Sequence, residues 1–204
     1  MLPPLPELML FFAAALALNL TPGADMLYAM GAGLRSGPRA GFVAALGISL
    51  GLGVHVLLAG LGLAALIASH PAAFELIRWA GVVWLIWLAY GAFTAGPTQL
   101  RREGAGESLP KVLKGGFLVN LLNPKTIIFI LAFIPQFTDG GLAQFLLLGA
   151  CFVTSSLVVT GLIGASAGGL GAVLTRRPAL SGIIQKLSGS VMLLLAARLA
   201  FDRR

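Results

Sequence analysis

The chain has 204 residues, 58% of them hydrophobic and only 10% charged, where soluble domains carry about 25% charged residues. Its formal net charge is +7, from 14 Lys and Arg against 7 Asp and Glu, and its mean hydropathy is +0.95. These values exclude a water-soluble globule. The basic residues lie mostly between apolar runs, which reads as the cytoplasmic loops of a polytopic membrane protein with no nucleic-acid partner.

Apolar runs between polar breaks predict an all-α bundle of six transmembrane helices, over about residues 6–34, 39–68, 72–93, 112–135, 141–169 and 180–200. The N-terminal Met1-Leu2-Pro3-Pro4-Leu5-Pro6-Glu7 has no basic segment, so the first span is expected to be resident rather than a cleaved signal peptide. Inside that span lies Asn19-Leu20-Thr21-Pro22-Gly23-Ala24-Asp25, an unfavourable insertion in an apolar run. Ser36-Gly37-Pro38, Ser69-His70-Pro71 and Arg176-Arg177-Pro178 are helix stop-and-start signals. Gly31-Ala32-Gly33-Leu34-Arg35-Ser36-Gly37 follows a membrane helix rather than a strand, so it is no dinucleotide loop. The second span carries Gly47-Ile48-Ser49-Leu50-Gly51 and, further on, His55. Trp79 at one end of the third span and Trp87 and Tyr90 near the other fit interfacial anchoring.

Residues 94–111 form the expected cytoplasmic linker between two halves of a single membrane domain, about 1–93 and 112–204. The fourth span contains Asn120-Leu121-Leu122-Asn123-Pro124-Lys125, and Gln136, Thr138 and Asp139 mark its outer end. Cys151, the single cysteine, allows no internal disulfide and is expected to be buried filler. Gly164-Ala165-Ser166-Ala167-Gly168 repeats the small-residue spacing of the second span. Such faces let helices approach closely, inside one chain or between two copies of a homo-oligomer.

Nine basic residues (Arg35, Arg39, Arg101, Arg102, Lys111, Lys114, Arg176, Arg177 and Lys186) fall on the side of the long linker. Four (Arg78, Arg198, Arg203 and Arg204) fall on the other. The linker is therefore expected in the cytoplasm and both termini outside, although the basic C-terminus argues the other way. Three spans per half is an odd number, so two copies must insert with opposite orientation. Inverted repeats of this kind place a transporter's site at their interface. Pro22 and Pro124 are 102 residues apart, half of the chain; Gly47 and Gly149, and Gly62 and Gly164, share that spacing.

Each proline removes a backbone donor and displaces the carbonyl one turn back, opening its span. Thr21-Pro22 and Asn123-Pro124 each read as an N-cap followed by proline at the first helical position. A half-helix starting there points its positive end into the membrane, which suits a carboxylate. Asp25 is well placed in such a first turn, whereas Lys125 sits where a cation is disfavoured. Each charge costs about 2.5–3.5 kcal/mol at mid-membrane on insertion scales. Thirteen residues separate Pro22 from Arg35 and Pro124 from Lys111, so both breaks lie roughly 20 Å from the cytoplasmic boundary. Two readings follow for Asp25 and Lys125: a working site, or an ion pair that clamps the halves. Asn19, Thr21, Asn120 and Asn123 either line a cavity or satisfy freed backbone, and His55 is either a proton relay or a packing residue.

Leu20-Thr21-Pro22-Gly23-Ala24-Asp25, Arg39-Ala40-Gly41, Ala45-Leu46-Gly47-Ile48 and Gly60-Leu61-Gly62-Leu63-Ala64 resemble the LysE/RhtB family of bacterial amino-acid exporters. So do Val119-Asn120-Leu121-Leu122-Asn123-Pro124-Lys125, Phe133-Ile134-Pro135-Gln136-Phe137, Leu187-Ser188-Gly189 and Arg198-Leu199-Ala200. The resemblance runs through nearly the whole chain in order. Ala24 stands where the family pattern has a second proline, after Thr-Pro-Gly. The resemblance implies export of amino acids or close derivatives across the bacterial inner membrane, driven by protons.

The expected substrate-binding or coupling residues are Asn19, Thr21, Pro22, Gly23, Asp25, His55, Asn120, Asn123, Pro124 and Lys125. The expected partners are a small-molecule amino acid, protons and the lipid bilayer; no cofactor and no metal is expected. The rival classes are a passive channel and a cation or heavy-metal exporter, and metal transport would call for clustered Cys, His or carboxylates. An intramembrane enzyme is not expected, because Ser49 and His55, six residues apart, need not share a helix face.

Overall fold

A computed structural model describes residues 3–69, 71–94, 106–138, 141–167 and 178–201. His70, Arg101, Arg102, Asp139, Gly168, Arg176, Arg177, Arg203 and Arg204 lie outside the described residues. Within them the chain is all-helical: α1 (Leu5–Leu20), α2 (Ala24–Ser36), α3 (Pro38–Ser69), α4 (Pro71–Thr94), α5 (Leu109–Leu121), α6 (Pro124–Phe133), α7 (Leu142–Ala165) and α8 (Pro178–Phe201). A 3-10 turn at Ile134–Phe137 continues α6. Pro38, Pro71 and Pro178 each stand at a first helical position, where the missing N–H would be unpaired anyway.

The two polar stretches are where the predicted first and fourth helices part. Thr21 precedes a proline and is held extended (φ −68°, ψ 119°), so α1 stops, and after Gly23 the chain turns by 56° into α2. Asn123 likewise precedes a proline, at φ −86° and ψ 105°. There α5 gives way to α6 and its 3-10 extension with a turn of 53°. Pro38–Gly62 and Leu142–Ala165 are long and apolar enough to cross a membrane. Counting each bent pair as one span raises the number to four among the described residues.

The helices are apolar on more than one face. Phe11, Phe129, Phe133, Phe137 and Phe152 interlock inside, with Phe129 and Phe133 ring centroids 4.5 Å apart and Phe11 and Phe137 5.5 Å apart. Outside, Leu58, Leu61, Leu162, Leu187 and Leu194 are exposed, as are Trp79, Trp87 and Tyr90 of the anchoring set. So broad an apolar exterior suits lipid rather than water. Cys151 proves to be half-buried rather than core filler, because its helix face borders an open apolar groove beside Phe12 and Val158. Gln136 is not at an exposed end either. It is buried and donates from Nε2 to Ala132 O at 2.6 Å, closing the 3-10 turn from within.

α3 is the central element and packs on α5, α7 and α2, while α4 packs on α8 and α6. Glycines set those contacts. Gly47 and Gly51 lie against α5, and Gly116 of α5 faces Ala44 of α3. At the end of α7, Gly164 meets the backbone of Gly41, and Gly33 of α2 abuts Gly164 in turn. These small-residue faces are therefore used within one chain. A methyl at Gly41 would strike the Gly164 carbonyl, which cannot rotate away, whereas Gly53 and Gly62 have open space. Gly41→Ala should lower stability by about 1–3 kcal/mol, the usual cost of overpacking. Gly53→Ala should be neutral or stabilise by up to about 1 kcal/mol through helix propensity. Thermal unfolding of the two variants in detergent distinguishes the sites.

Candidate functional site

The two helix breaks meet, and each holds the charged side chain of the other. Asp25, in the first turn of α2, accepts through Oδ2 from Asn120 Nδ2 and from Asn123 Nδ2, both at 3.0 Å. Lys125, in the first turn of α6, donates from Nζ to Leu18 O at 2.8 Å and to Thr21 O at 2.9 Å. Asp25 and Lys125 form no ion pair with each other, so the clamp reading fails in its direct form. The halves are joined by a reciprocal clasp between side chains and opened backbone.

That geometry resolves the position of Lys125. Its backbone is at the positive end of α6, but its side chain reaches across to the last carbonyls of α1, the negative end of that helix. Pro22 creates the acceptors: it lets no helix continue, so the carbonyls of Leu18 and Thr21 are left to other donors. Gly23 lies beneath the lysine, and a Cβ there would sit 3.5 Å from Nζ, an ordinary contact. A methyl would fit at that position and a larger side chain would obstruct the ammonium.

The caps differ between the breaks. Asn123 is the N-cap of α6 as expected, its Oδ1 accepting from Lys125 N at 3.0 Å. The same amide donates from Nδ2 to Asp25, so only asparagine serves both tasks. Thr21 is not an N-cap. Its hydroxyl donates back to Ala17 O at 2.6 Å and belongs to α1; Gly23, with no side chain to offer, precedes α2. The reason is that Thr21 and Gly23 stay extended on either side of Pro22, which delays the helix to Ala24.

Seven of the ten expected residues line one small polar cavity: Asn19, Thr21, Gly23, Asp25, Asn120, Asn123 and Lys125. Pro22 and Pro124 shape it without lining it. His55 lies apart, its Nε2 3.4 Å from Asn120 O, and borders a separate apolar groove with Ile127 and Ile130. Asn19 donates to Ser155 Oγ at 3.3 Å, tying α1 to α7. Asp25 Oδ1 is buried and has no hydrogen-bond partner among the described residues. The cavity also includes Thr126, Ser156 and Thr160, which the sequence reading passed over. Thr126 accepts from Asn120 Nδ2 at 3.2 Å. Ser156 and Thr160 are one turn apart within an apolar span, a spacing that could have flagged them.

The cavity volume is about 20 Å³, room for about one water. No amino acid fits in this state. On α7, Phe145 and Phe152 lie to one side of Ser156 and Thr160, and the Gly164–Gly41 contact lies to the other.

The LysE type translocator family matches residues 16–203 of the chain. The chain belongs to that family. The homoserine/homoserine lactone efflux protein of Salmonella typhimurium (strain LT2) is 33% identical over 190 residues, covering 91% of this chain and 92% of that protein. The leucine efflux protein of Klebsiella pneumoniae subsp. pneumoniae is 31% identical over 197 residues, covering 93% and 92%. An uncharacterized membrane protein of Vibrio cholerae is 33% identical over 187 residues, covering 90% and 91%. No solved structure matches the chain.

In this translocator the clasp makes a stability prediction. Lys125→Met keeps the length of the side chain but takes the ammonium from both carbonyls, leaving Leu18 O only the 3.2 Å bond from Thr21 N. Hydrogen bonds to a charged group contribute about 1.5–3 kcal/mol each, so the variant should lose at least about 2 kcal/mol in thermal unfolding. Asn123→Asp keeps the cap but sets a second carboxylate against Asp25, and should destabilise the protein above pH 7 more than at pH 4. Unfolding midpoints at the two pH values check this.

Proposed function

We propose that this chain exports amino acids or close derivatives from the cytoplasm across the bacterial inner membrane, exchanging them for protons by alternating access. The observation that carries the reading is the small polar cavity where two broken helices cross, with a carboxylate and an ammonium each held by the opposite break. A zwitterion offers the complementary pair. Its carboxylate suits Lys125 and the uncapped first turn of α2, and its ammonium or a proton suits the unpartnered Oδ1 of Asp25. The named efflux activities of the Salmonella and Klebsiella relatives support the same substrate class.

In this reading the protein is multi-pass with six spans: α1 with α2, α3, α4, α5 with α6, α7 and α8. They form two inverted halves, with the linker in the cytoplasm and both termini outside. Packing supports the exchange of halves. α3 contacts its counterpart α7, α4 contacts its counterpart α8, and α5 against α3 corresponds to α1 against α7. The bends of 56° and 53° correspond as well. The correspondence is partial, since Gly164 is tightly packed while Gly62 faces open space.

The driving force suffices. One proton entering across about 150 mV supplies roughly 3.5 kcal/mol, equivalent to a concentration ratio of a few hundred for a neutral zwitterion. Proteoliposomes loaded with labelled amino acids test the proposal. An imposed pH gradient should drive efflux against a concentration gradient, and gradient-independent leakage of all solutes would replace the reading with a passive channel. Asp25→Asn should insert normally yet lose the pH dependence of efflux, since the amide takes no proton. An Asp25→Asn profile parallel to that of the unmodified protein would remove Asp25 from coupling.

A further inference from the structure

Serine and threonine within helices usually bond back to a carbonyl of the preceding turn. On α7 that is what Thr154 and Ser155 do, donating to Ala150 O at 2.9 Å and to Phe152 O at 2.8 Å. Thr21, Ser166 and Ser190 do the same elsewhere. Ser156 and Thr160 break the habit. Both are buried, at 5% and 4% exposure, both line the cavity that Asp25 and Lys125 line, and neither shows the intrahelical bond of Thr154 and Ser155. They stand one turn apart on one face, so their hydroxyls address the same region of the cavity. The apolar part of the lining is formed by Leu18, Met26, Leu52 and Phe152.

Hydroxyls that line a cavity and are not spent on their own helix can bond to what enters it. Packing does not call for them, because valine and alanine would fill the same space. The charged groups of an amino acid have their partners in Asp25, Lys125 and the helix ends, which leaves Ser156 and Thr160 for the side chain.

We propose that Ser156 and Thr160 are the specificity-determining pair of the export site. They read a hydroxyl on the substrate's side chain, so the site takes small neutral amino acids bearing one in preference to their aliphatic isosteres. The proposal rests on the export reading above and assigns its substrate class. It also separates two activities named among the relatives, since homoserine carries a side-chain hydroxyl and leucine does not. A site built to bond a hydroxyl discriminates strongly against the analogue lacking it, because its own polar groups are then left unpaired.

The test uses isosteric pairs, homoserine with norvaline and threonine with valine, in proteoliposomes of the full chain under a pH gradient. The unmodified protein should export the hydroxylated member about tenfold or more faster at subsaturating concentration. Ser156→Ala and Thr160→Val should each lower that ratio by about three- to tenfold, the worth of one neutral hydrogen bond. Ser156→Thr and Thr160→Ser keep a hydroxyl and should keep most of the ratio, which controls for folding and packing. Thr154→Val, whose hydroxyl is spent on Ala150 O, should leave the ratio unchanged. A ratio near one in the unmodified protein would overturn the proposal while leaving export intact. So would a parallel fall for both members of a pair in the alanine and valine variants. Export of no amino acid at all would instead sink the export reading, and this proposal with it.

Discussion

Everything in the structure depends on how backbone opened by proline is satisfied in a medium that offers no water. Pro22 frees the carbonyls of Leu18 and Thr21, and the ammonium of Lys125 takes both. Pro124 begins a new helix whose first turn is capped by Asn123, and the same amide, with Asn120, holds Asp25. Each break is repaired only in part by its own half of the chain, and the opposite half supplies the rest. Each would be expensive alone, since an unpaired polar group in an apolar interior costs several kcal/mol. Together they are complementary, and the two halves must meet for either to be stable.

The rest of the architecture brings the breaks together. Gly33, Gly41 and Gly164 let α2, α3 and α7 touch at backbone distance, and Gly47, Gly51 and Gly116 do so for α3 and α5. Side chains at these positions would separate the helices by more than the reach of Asn120 and Asn123 to Asp25, whose bonds are already 3.0 Å long. The interlocked phenylalanines from α1, α6 and α7 close the other side. Close glycine packing and an apolar plug thus reduce the space at the crossing to about 20 Å³.

Much of this was legible in the sequence because lipid makes polar residues conspicuous. Pro22, Asp25, Asn120, Asn123 and Lys125 stand out against apolar runs, and their chemistry required a common location. The helix limits followed from prolines at first helical positions. What stayed illegible was direction. Composition could place Lys125 at a positive helix end but not reveal that its side chain reaches the negative end of another helix. Thr21 looked like the cap of the following helix because its type fits both roles, and only its bond to Ala17 O and the extended backbone at Thr21 and Gly23 assign it to α1. Ser156 and Thr160 were missed because hydroxyls are common in membrane helices and usually bond to their own backbone. Their significance lies in the absence of such a bond, which no sequence records.

The clasp also bears on how such a site would open. A direct pairing of Asp25 with Lys125 would place opposite charges together at low dielectric, a deep well that a substrate must break before it binds. Carbonyl and amide partners hold each charge with hydrogen bonds and can be replaced one at a time. A zwitterion can substitute on both sides at once, offering a carboxylate to Lys125 as it leaves Leu18 and Thr21, and an ammonium to Asp25. A simple cation or anion can replace only one partner and leaves the other half of the clasp shut. On the export reading proposed above, requiring both ends of the same molecule would restrict opening to amino acids, and it would make α1 and α6 part together, since α1 holds the ammonium of Lys125 and Asn123, at the start of α6, holds the carboxylate of Asp25.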